Sequence, residues 1–293
     1  MEIVDIMADF NTHDKCIKYL EQIRWNGVPR CPYCGCSKSC SKSTRYTCRS
    51  CNNSYSVTVG TVFESSRLSL TKWFLGISII LSAKKGVSSR QLARHLSVNK
   101  DTAWLMQKKV RQAMSEKDVL LEGVIEADES FIGGNRGNKY RSQREKDAEL
   151  LGTGHQGRSP VLGMLERSGK IITKVLHKSW GKEIMPQMKQ WISPSSTVVT
   201  DGFGGYFKCR HHFNAHYVLN HSKEIHRIGK YHTNTIEGFW GMFKRALAGQ
   251  YHTVSVTYLQ LYFDELAFKY NYRKSKDKGF SVLIGSMLNK SLP

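Results

Sequence analysis

Three carboxylates in the second half of the chain have the residue type and surroundings that a metal site requires. Asp128 lies inside an apolar run from Val124 to Ile132, and Asp201 ends a second run that starts at Thr197. A carboxylate in a buried strand is unfavourable unless it is paired, hydrogen-bonded or bound to a metal. Glu237 follows Asp201 after 35 residues. Such oxygens suit Mg²⁺ (or Mn²⁺), and two of these ions can promote in-line displacement at phosphorus.

The stretch 232–245 that contains Glu237 predicts a helix with two distinct faces. Its apolar positions have the spacing of a buried stripe: Ile236, Trp240, Phe243 and Leu247. Glu237 and Lys244 fall on a second, polar stripe, two turns or about 10 Å apart, with Gly241 between them. Asn234 followed by Glu237 is also a capping-box pattern, in which the glutamate only binds its own helix terminus. This stretch alone leaves both roles open.

Four of the eight cysteines form two C-x2-C pairs, Cys31 with Cys34 and Cys48 with Cys51, separated by 13 residues. Four thiolates in two turns make the tetrahedral set of a structural Zn²⁺ site, which stabilises a segment too small to fold alone. Cys36 and Cys40 lie between the pairs and could replace Cys34, although the C-x2-C geometry favours the outer set. We therefore predict a zinc ribbon, and no catalytic role for its closed metal site.

Residues 71–114 predict three helices, at 71–83, 88–96 and 101–114. The last two, joined by the short turn 97–100, have the arrangement of a helix-turn-helix, whose final helix can enter a DNA major groove. Val98 and Leu105 are expected to pack between them. The side chains expected to remain available to DNA are Lys100, Thr102, Lys108 and Arg111. A helical packing module without DNA contacts is the alternative.

The composition supports an acidic polymer as partner. Forty-four Lys and Arg against 24 Asp and Glu give a net charge of +20, spread along the 293 residues. The chain lacks a long apolar run and a recognisable signal peptide, so we expect a cytoplasmic protein that associates with the nucleoid rather than a membrane. Residues 133–158, rich in glycine and charge, are expected to form a mobile basic loop that orders on DNA.

The expected fold class is α+β with several domains. Residues 1–66 would hold an N-terminal helix and the ribbon, 67–118 the helix-turn-helix, and 119–293 a mixed α/β catalytic domain with the C-terminal helices. Apolar periodicity in that last part predicts strands at 124–132, 160–166, 170–176, 197–201 and 217–220. It predicts helices at 182–192, 256–273 and 280–288, in addition to the helix of Glu237.

The motif around Asp128, the Asp201-x35-Glu237 spacing, the phrase HTNTIEGFW and the lysine seven residues after Glu237 resemble the DDE-type insertion-sequence transposases. The likeness is greatest to the subfamily with an N-terminal four-cysteine ribbon, and it runs from Cys31 to Arg273. It implies a ribonuclease-H-like core and a bacterial mobile element.

The resemblance implies that Asp128, Asp201 and Glu237 bind the catalytic metal ions and that Lys244, with Arg245 beside it, contacts the DNA end. Asn234 occupies the third catalytic position of some relatives. We favour Glu237 as the third ligand because a carboxylate binds Mg²⁺ more strongly than an amide oxygen does. In a regular strand Glu126 would share the face of Asp128, which makes it a further candidate near the site.

The function expected from these features is binding of double-stranded element ends, metal-dependent strand cleavage, and transfer of the freed 3′-hydroxyl to target DNA. Because two ends must be brought together, a homodimer or higher oligomer is expected. Two alternatives use the same features: a DNA-binding regulator without catalysis, and a nuclease of the same core that cuts without joining.

Overall fold

The computed structural model describes residues 3–116, 119–133, 140, 142, 145, 158–177, 180–219, 227–277 and 279–289. Most of the predicted loop 133–158 lies outside these residues. The chain divides into two compact units: Met1–Ser115 together with Tyr272–Pro293, and Glu116–Asn271. Among the described residues, no helix has both the length and the apolar character needed to cross a bilayer.

The helices are α1 (Ile3–Asp9), α2 (His13–Trp25), α3 (Leu70–Ser82), α4 (Ser89–Leu96), α5 (Lys100–Ala113), α6 (Trp180–Trp191), α7 (Asn234–Ala246), α8 (Val256–Asn271) and α9 (Phe280–Asn289). The strands are β1 (Ser39–Lys42), β2 (Arg45–Cys48), β3 (Ser54–Tyr55), β4 (Val124–Ile132), β5 (Ser159–Glu166), β6 (Ile171–Val175), β7 (Thr197–Asp201) and β8 (Ala215–Leu219). A 3₁₀ segment spans Gly204–His211, and a π-helical turn, Leu247–Tyr251, continues α7.

The two helices predicted at 88–96 and 101–114 are present as α4 and α5, joined by a short turn. Helix α4 ends at Ser97, which has a left-handed backbone conformation. Asn99 then caps α5 by accepting a 2.7 Å hydrogen bond from the amide of Thr102. A polar side chain at this position satisfies an amide that the first helical turn leaves without a partner. The short turn therefore ends one helix and starts the next.

Two expectations about α5 are wrong. Leu105 is 49% exposed, whereas Ala103, Met106 and Val110 form the buried stripe. Arg111 is only 3% exposed, because it lies four residues after the buried Gln107 and on the same side of the helix. Its guanidinium is therefore not on the surface that could contact DNA. Val98 is half-buried.

The last helix, α9, belongs to the first unit and not with the residues of the predicted 119–293 domain. Phe280 is 1% exposed, and its ring lies 5.7 Å from that of Phe74 and 6.3 Å from that of Phe10. The amide of Val62 donates to the carbonyl of Met287 at 3.2 Å. Aromatic packing between distant parts of the chain thus decides where this helix folds, and local periodicity carries no information about such a partner.

The second unit contains a five-stranded sheet in the order β6-β5-β4-β7-β8. Strands β4, β5 and β6 pair antiparallel, whereas β7 and β8 add in parallel to the other side of β4. This mixed topology agrees with the ribonuclease-H-like core expected from the resemblance. Strand β4, which carries Asp128, is therefore the central strand.

Each face of the sheet has its own layer of helices. Helix α6 and the 3₁₀ segment cover one face through a core that includes Ile125, Leu162 and Met164. Helices α7 and α8 cover the other face through Val161, Leu165 and their neighbours. Alternate residues of β5 thus enter different cores, as the period of a strand requires. Both faces of β5 are buried, which explains its continuous apolar sequence.

Candidate active site

Asp128 and Asp201 lie on neighbouring parallel strands. Val124–Glu126 of β4 pair in register with Thr197–Val199 of β7, so the two aspartates extend past the paired part in the same direction. One carboxylate oxygen each from Asp128, Glu129 and Asp201 lie within 4.8 Å of one another. Asp201 also has a local contact: its Oδ1 accepts a 3.0 Å hydrogen bond from the amide of Phe203. The sheet therefore brings together two acids that are distant in sequence and adds a third.

The clustered carboxyls are difficult to ionise together. Burial raises the pKa of Asp128 to about 6, and the negative charges of Asp201 and Glu237 add to the effect. Burial also raises the pKa of Glu129 to about 7, with Asp201 and Asp128 contributing. Tyr206, which is 1% exposed, opposes this shift by donating a 2.6 Å hydrogen bond to Glu129 Oε2. A divalent cation would offset the repulsion, so the donor set fits a hard metal ion.

Helix α7 places two further groups by Asp128. The indole N–H of Trp240 donates to Asp128 Oδ2 at 3.0 Å, which lowers the pKa of that carboxyl. The exposed Glu237 stands one turn earlier and outside the 4.8 Å cluster, but its charge raises the pKa of Asp128. As predicted, Ile236, Trp240 and Phe243 form the buried stripe of α7.

The capping-box alternative for Glu237 is not what the structure contains. Helix α7 begins at Asn234, and the carboxylate of Glu237 accepts a 2.8 Å hydrogen bond from the hydroxyl of Thr233, not from a backbone amide. The amides of Thr235 and Ile236 are instead bound by Glu126. Asn234 itself is exposed. Glu237 is therefore not required to close its own helix terminus.

Several predicted DNA contacts are accessible. Lys244 and Arg245 are exposed at the end of α7, and Lys244 lines a cleft of about 480 Å³ together with Arg158 and His252. Lys100 is exposed, whereas Thr102 and Lys108 are half-buried. The ammonium of Lys108 lies 5.7 Å from the ring centre of Trp104. Of the predicted set, only Arg111 is buried.

The four outer cysteines form a second cluster, in the ribbon. One sulfur each from Cys31, Cys34, Cys48 and Cys51 lie within 4.8 Å of one another. The Cys31–Cys51 and Cys34–Cys48 sulfur pairs are 3.6 and 3.5 Å apart. Zinc–sulfur bonds of about 2.3 Å in a tetrahedron require a separation of roughly 3.8 Å. The geometry therefore fits a structural zinc ion, and the outer set is the one brought together.

The remaining cysteines of the ribbon have other contacts. Cys36 accepts a 3.3 Å hydrogen bond from the amide of Lys38, and Cys40 accepts one of 3.1 Å from Arg49. Backbone amides of Cys51 and Ser50 lower the pKa of Cys48 to about 6, which favours the thiolate that a metal needs.

Sequence reasoning did not include Glu129 and Gly163 in the site. In a regular strand Glu129 points away from Asp128, so alternation alone gives no reason to place it in the same site. The argument applied to Asp128, that a carboxylate within an apolar strand needs a partner, applies equally to Glu129. Gly163 pairs with Asp128 across β4 and β5, and only the position of the Trp240 ring gives it a role.

Comparison with known proteins agrees with this geometry. Residues 120–271 match the ISXO2-like transposase domain, and residues 11–54 match a transposase zinc-ribbon domain. An uncharacterized protein in transposable element ISH50 of Halobacterium salinarum is 28% identical over 254 residues, 82% of this chain and 84% of the relative.

Among solved structures, the crystal structure of the Mos1 strand transfer complex aligns over 74% of this chain and 75% of that one. The identity is 13% and the TM-score 0.29, too low for comparison of individual residues. The match to the ISXO2-like transposase domain spans more than half of the chain and contains the whole carboxylate cluster. This chain therefore belongs to the family of ISXO2-like transposases.

Proposed function

We propose that this transposase binds the double-stranded ends of its element, cleaves a strand there in a reaction that depends on Mg²⁺ or Mn²⁺, and joins the freed 3′-hydroxyl to target DNA. The observation that carries the proposal is the convergence of Asp128, Glu129 and Asp201 at the central strands of the sheet. Membership of a transposase family supports the same conclusion.

In this proposal Asp128 and Asp201 hold the divalent ions, and Glu237 completes the set from α7. Glu129 belongs to the same cluster and would either bind an ion directly or add to the negative electrostatic potential at the metal site. When bound, the ions would activate the attacking oxygen and stabilise the leaving one. Trp240 keeps Asp128 oriented through its hydrogen bond, and Tyr206 does the same for Glu129. Water and then the 3′-hydroxyl act as nucleophiles, so no covalent enzyme intermediate is required.

The rest of the chain would supply DNA contacts. Lys100, Thr102 and Lys108 of the helix-turn-helix are the proposed end-binding residues, and the ribbon adds basic surface. Lys244 and Arg245, at the end of the helix that carries Glu237, are proposed to hold phosphates near the reacting strand. The net charge of +20 supports a long contact with DNA. We propose that this contact takes place in the cytoplasm. Synapsis of two ends would require a dimer or higher oligomer.

The test is incubation of the purified protein with its own element-end DNA and Mg²⁺, scoring nicked and joined products separately. Asp128→Asn, Asp201→Asn and Glu237→Gln should each lower cleavage by about 100-fold or more, with end binding retained. Glu129→Gln and Asn234→Ala report the roles of those two positions. Glu183→Gln is the control, because Glu183 lies on α6 and pairs with the exposed His177.

The same assay separates the rival functions. Nicked product without any joined product would indicate a nuclease of this core. Specific end binding without metal-dependent cleavage would indicate a DNA-binding regulator. Full cleavage by all three acid variants would contradict the proposed site.

A further inference from the structure

The buried carboxylate of Glu126 has no part in the reaction proposed above, yet it lies two residues before Asp128 on the same strand. Its side chain is 0% exposed. Because a buried charge is costly unless it is fully paired, its partners indicate its role. We propose that Glu126 and Arg167 are positioning residues that hold the first turn of α7 against β4. They thereby keep Glu237 and Trp240 close to Asp128. This inference rests on the proposed function.

The first half of this arrangement joins β4 to α7. Glu126 Oε2 accepts hydrogen bonds from the amides of Thr235 and Ile236, at 3.0 and 3.1 Å. Its Oε1 accepts one from the hydroxyl of Thr235 at 2.9 Å. The amides of a first helical turn have no partner within the helix, and the helix dipole favours a negative charge there. A residue of the catalytic strand thus serves as the N-terminal cap of α7.

The second half joins Glu126 to the segment that precedes α7. Arg167 donates to Glu126 Oε1 from Nε at 3.2 Å and from Nη2 at 2.9 Å. It also donates to the carbonyls of Lys230 and His232, at 2.7 and 3.1 Å. Only the planar, five-donor guanidinium can make all these contacts, so lysine could not replace it. His232 Nδ1 lies 3.5 Å from Glu126 Oε1 and completes the surroundings of the carboxylate.

The arrangement affects position more than folding. Ile236, Phe239, Trp240 and Phe243 bury α7 in the core shared with β5 and α8, so the helix keeps its packing without Glu126. Within its first turn, however, only Ile236 enters this core: Asn234 and Glu237 are exposed, and Thr235 is half-buried. Loss of the cap should therefore free this turn and let Glu237 move away from Asp128. The resulting loss should be in metal affinity rather than in stability.

The experiment compares Glu126→Gln and Arg167→Lys with wild type and with Glu183→Gln as the matched carboxylate control. The measured quantities are cleavage of end DNA as a function of Mg²⁺ concentration, end binding, thermal unfolding, and amide hydrogen exchange of residues 232–239. We expect the half-saturating Mg²⁺ concentration to rise about 10-fold or more in both variants. Exchange in 232–239 should become faster, while end binding and the control stay unchanged.

Unchanged Mg²⁺ dependence with unchanged exchange in both variants would overturn the inference. So would a loss of activity that only follows the unfolded fraction in the melting curves. If Glu126→Gln does not fold, the same measurements on Arg167→Lys and Thr235→Val test the inference, because both variants leave the buried carboxylate in place. If wild type does not cleave DNA at all, the proposed function fails on its own. Amide hydrogen exchange of residues 232–239 in the variants, relative to wild type, then tests the positioning role. Faster exchange would support it, and unchanged exchange would overturn it.

Discussion

Trp240 donates its indole N–H to Asp128 Oδ2 at 3.0 Å, and its ring lies directly over Gly163, the residue that pairs with Asp128 on the neighbouring strand. The absence of a side chain at Gly163 leaves the space that the indole occupies. Asp128 of the proposed catalytic set is thus oriented by Trp240 of α7, and Trp240 fits there only because β5 has a glycine at position 163.

Gly163→Ala should disturb this arrangement. A Cβ there would lie 2.6 Å from Trp240 Cζ2 and 2.9 Å from Ile236 Cδ1, both parts of a packed core. We expect a destabilisation of about 1–3 kcal/mol in denaturant unfolding and a lower cleavage rate, because Trp240 must move away from Asp128. Gly238→Ala is the control: a Cβ at this helical position meets nothing within 4 Å. It should stabilise the protein by about 0.5–1 kcal/mol, and equal effects of both variants would contradict the packing argument.

The raised pKa values of Asp128, about 6, and Glu129, about 7, predict a dependence of stability on pH. Unfolded carboxyls titrate near pH 4. Between pH 4 and 7 the folded protein therefore retains protons that the unfolded chain has released, and stability falls as the pH rises through this window. In buffer without Mg²⁺, unfolding at pH 7.5 should cost less free energy than at pH 5, by an amount on the order of 4 kcal/mol.

Two measurements check the origin of that dependence. The Asp128→Asn/Glu129→Gln double variant should flatten the pH profile of thermal unfolding between pH 5 and 7.5. Added Mg²⁺ should stabilise the wild type at pH 7.5 and have little effect at pH 5, because protonated carboxyls do not bind it. A wild-type profile that rises with pH would contradict the assignment.

Lys244→Ala should weaken strand joining and make it less sensitive to salt. Lys244 is exposed on α7, seven residues after Glu237, in the cleft that also contains Arg158. Loss of one phosphate contact should lower the salt slope of DNA binding by about 1. Lys182→Ala, an exposed lysine of α6 on the other face of the sheet, serves as control. An identical slope for wild type and Lys244→Ala would exclude a phosphate contact.

Cys48→Ser should release zinc and weaken end binding, because the ribbon that adds basic surface would lose its fold. Cys48 is fully buried, and its sulfur belongs to the four-sulfur cluster, whereas the exposed Cys40 lies outside it. Metal content by atomic absorption should fall from one zinc per chain to none in Cys48→Ser and stay unchanged in Cys40→Ser. Zinc retained by Cys48→Ser would show that another cysteine completes the site. The carboxylate cluster belongs to the other unit, so its Mg²⁺ affinity should persist.

Much of the fold follows from local patterns. The strands β4 to β7 and the helices α3 to α8 lie close to where apolar periodicity predicts them, because each buries a face or a stripe in one core. The cysteine set was also predictable, since C-x2-C spacing nearly fixes its geometry. Asp128 and Asp201 could be paired from the sequence because one lies inside an apolar strand and the other ends one, where an isolated charge would be unfavourable.

Other features depend on contacts that the sequence does not display. Leu105 is exposed and Arg111 buried because the phase of α5 is set by its neighbours, and a basic residue can contribute its long stem to a core. Glu129 reaches the carboxylate cluster from a position beyond the part of β4 that pairs with β7, despite regular alternation. The cap that Glu126 gives α7 spans more than a hundred residues, and no short-range motif encodes it.

The unit that contains the ribbon, α4 and α5 is built from two separate stretches of the sequence, 1–115 and 272–293. During synthesis, residues 116–271 leave the ribosome before α9, and proteins generally fold as their segments emerge. The proposed catalytic unit can therefore fold before Phe280 has been synthesised and can pack against Phe10 and Phe74. The unit proposed to bind element ends is therefore completed last. Termination after residue 271 should yield a chain with an intact carboxylate cluster and an incomplete first unit.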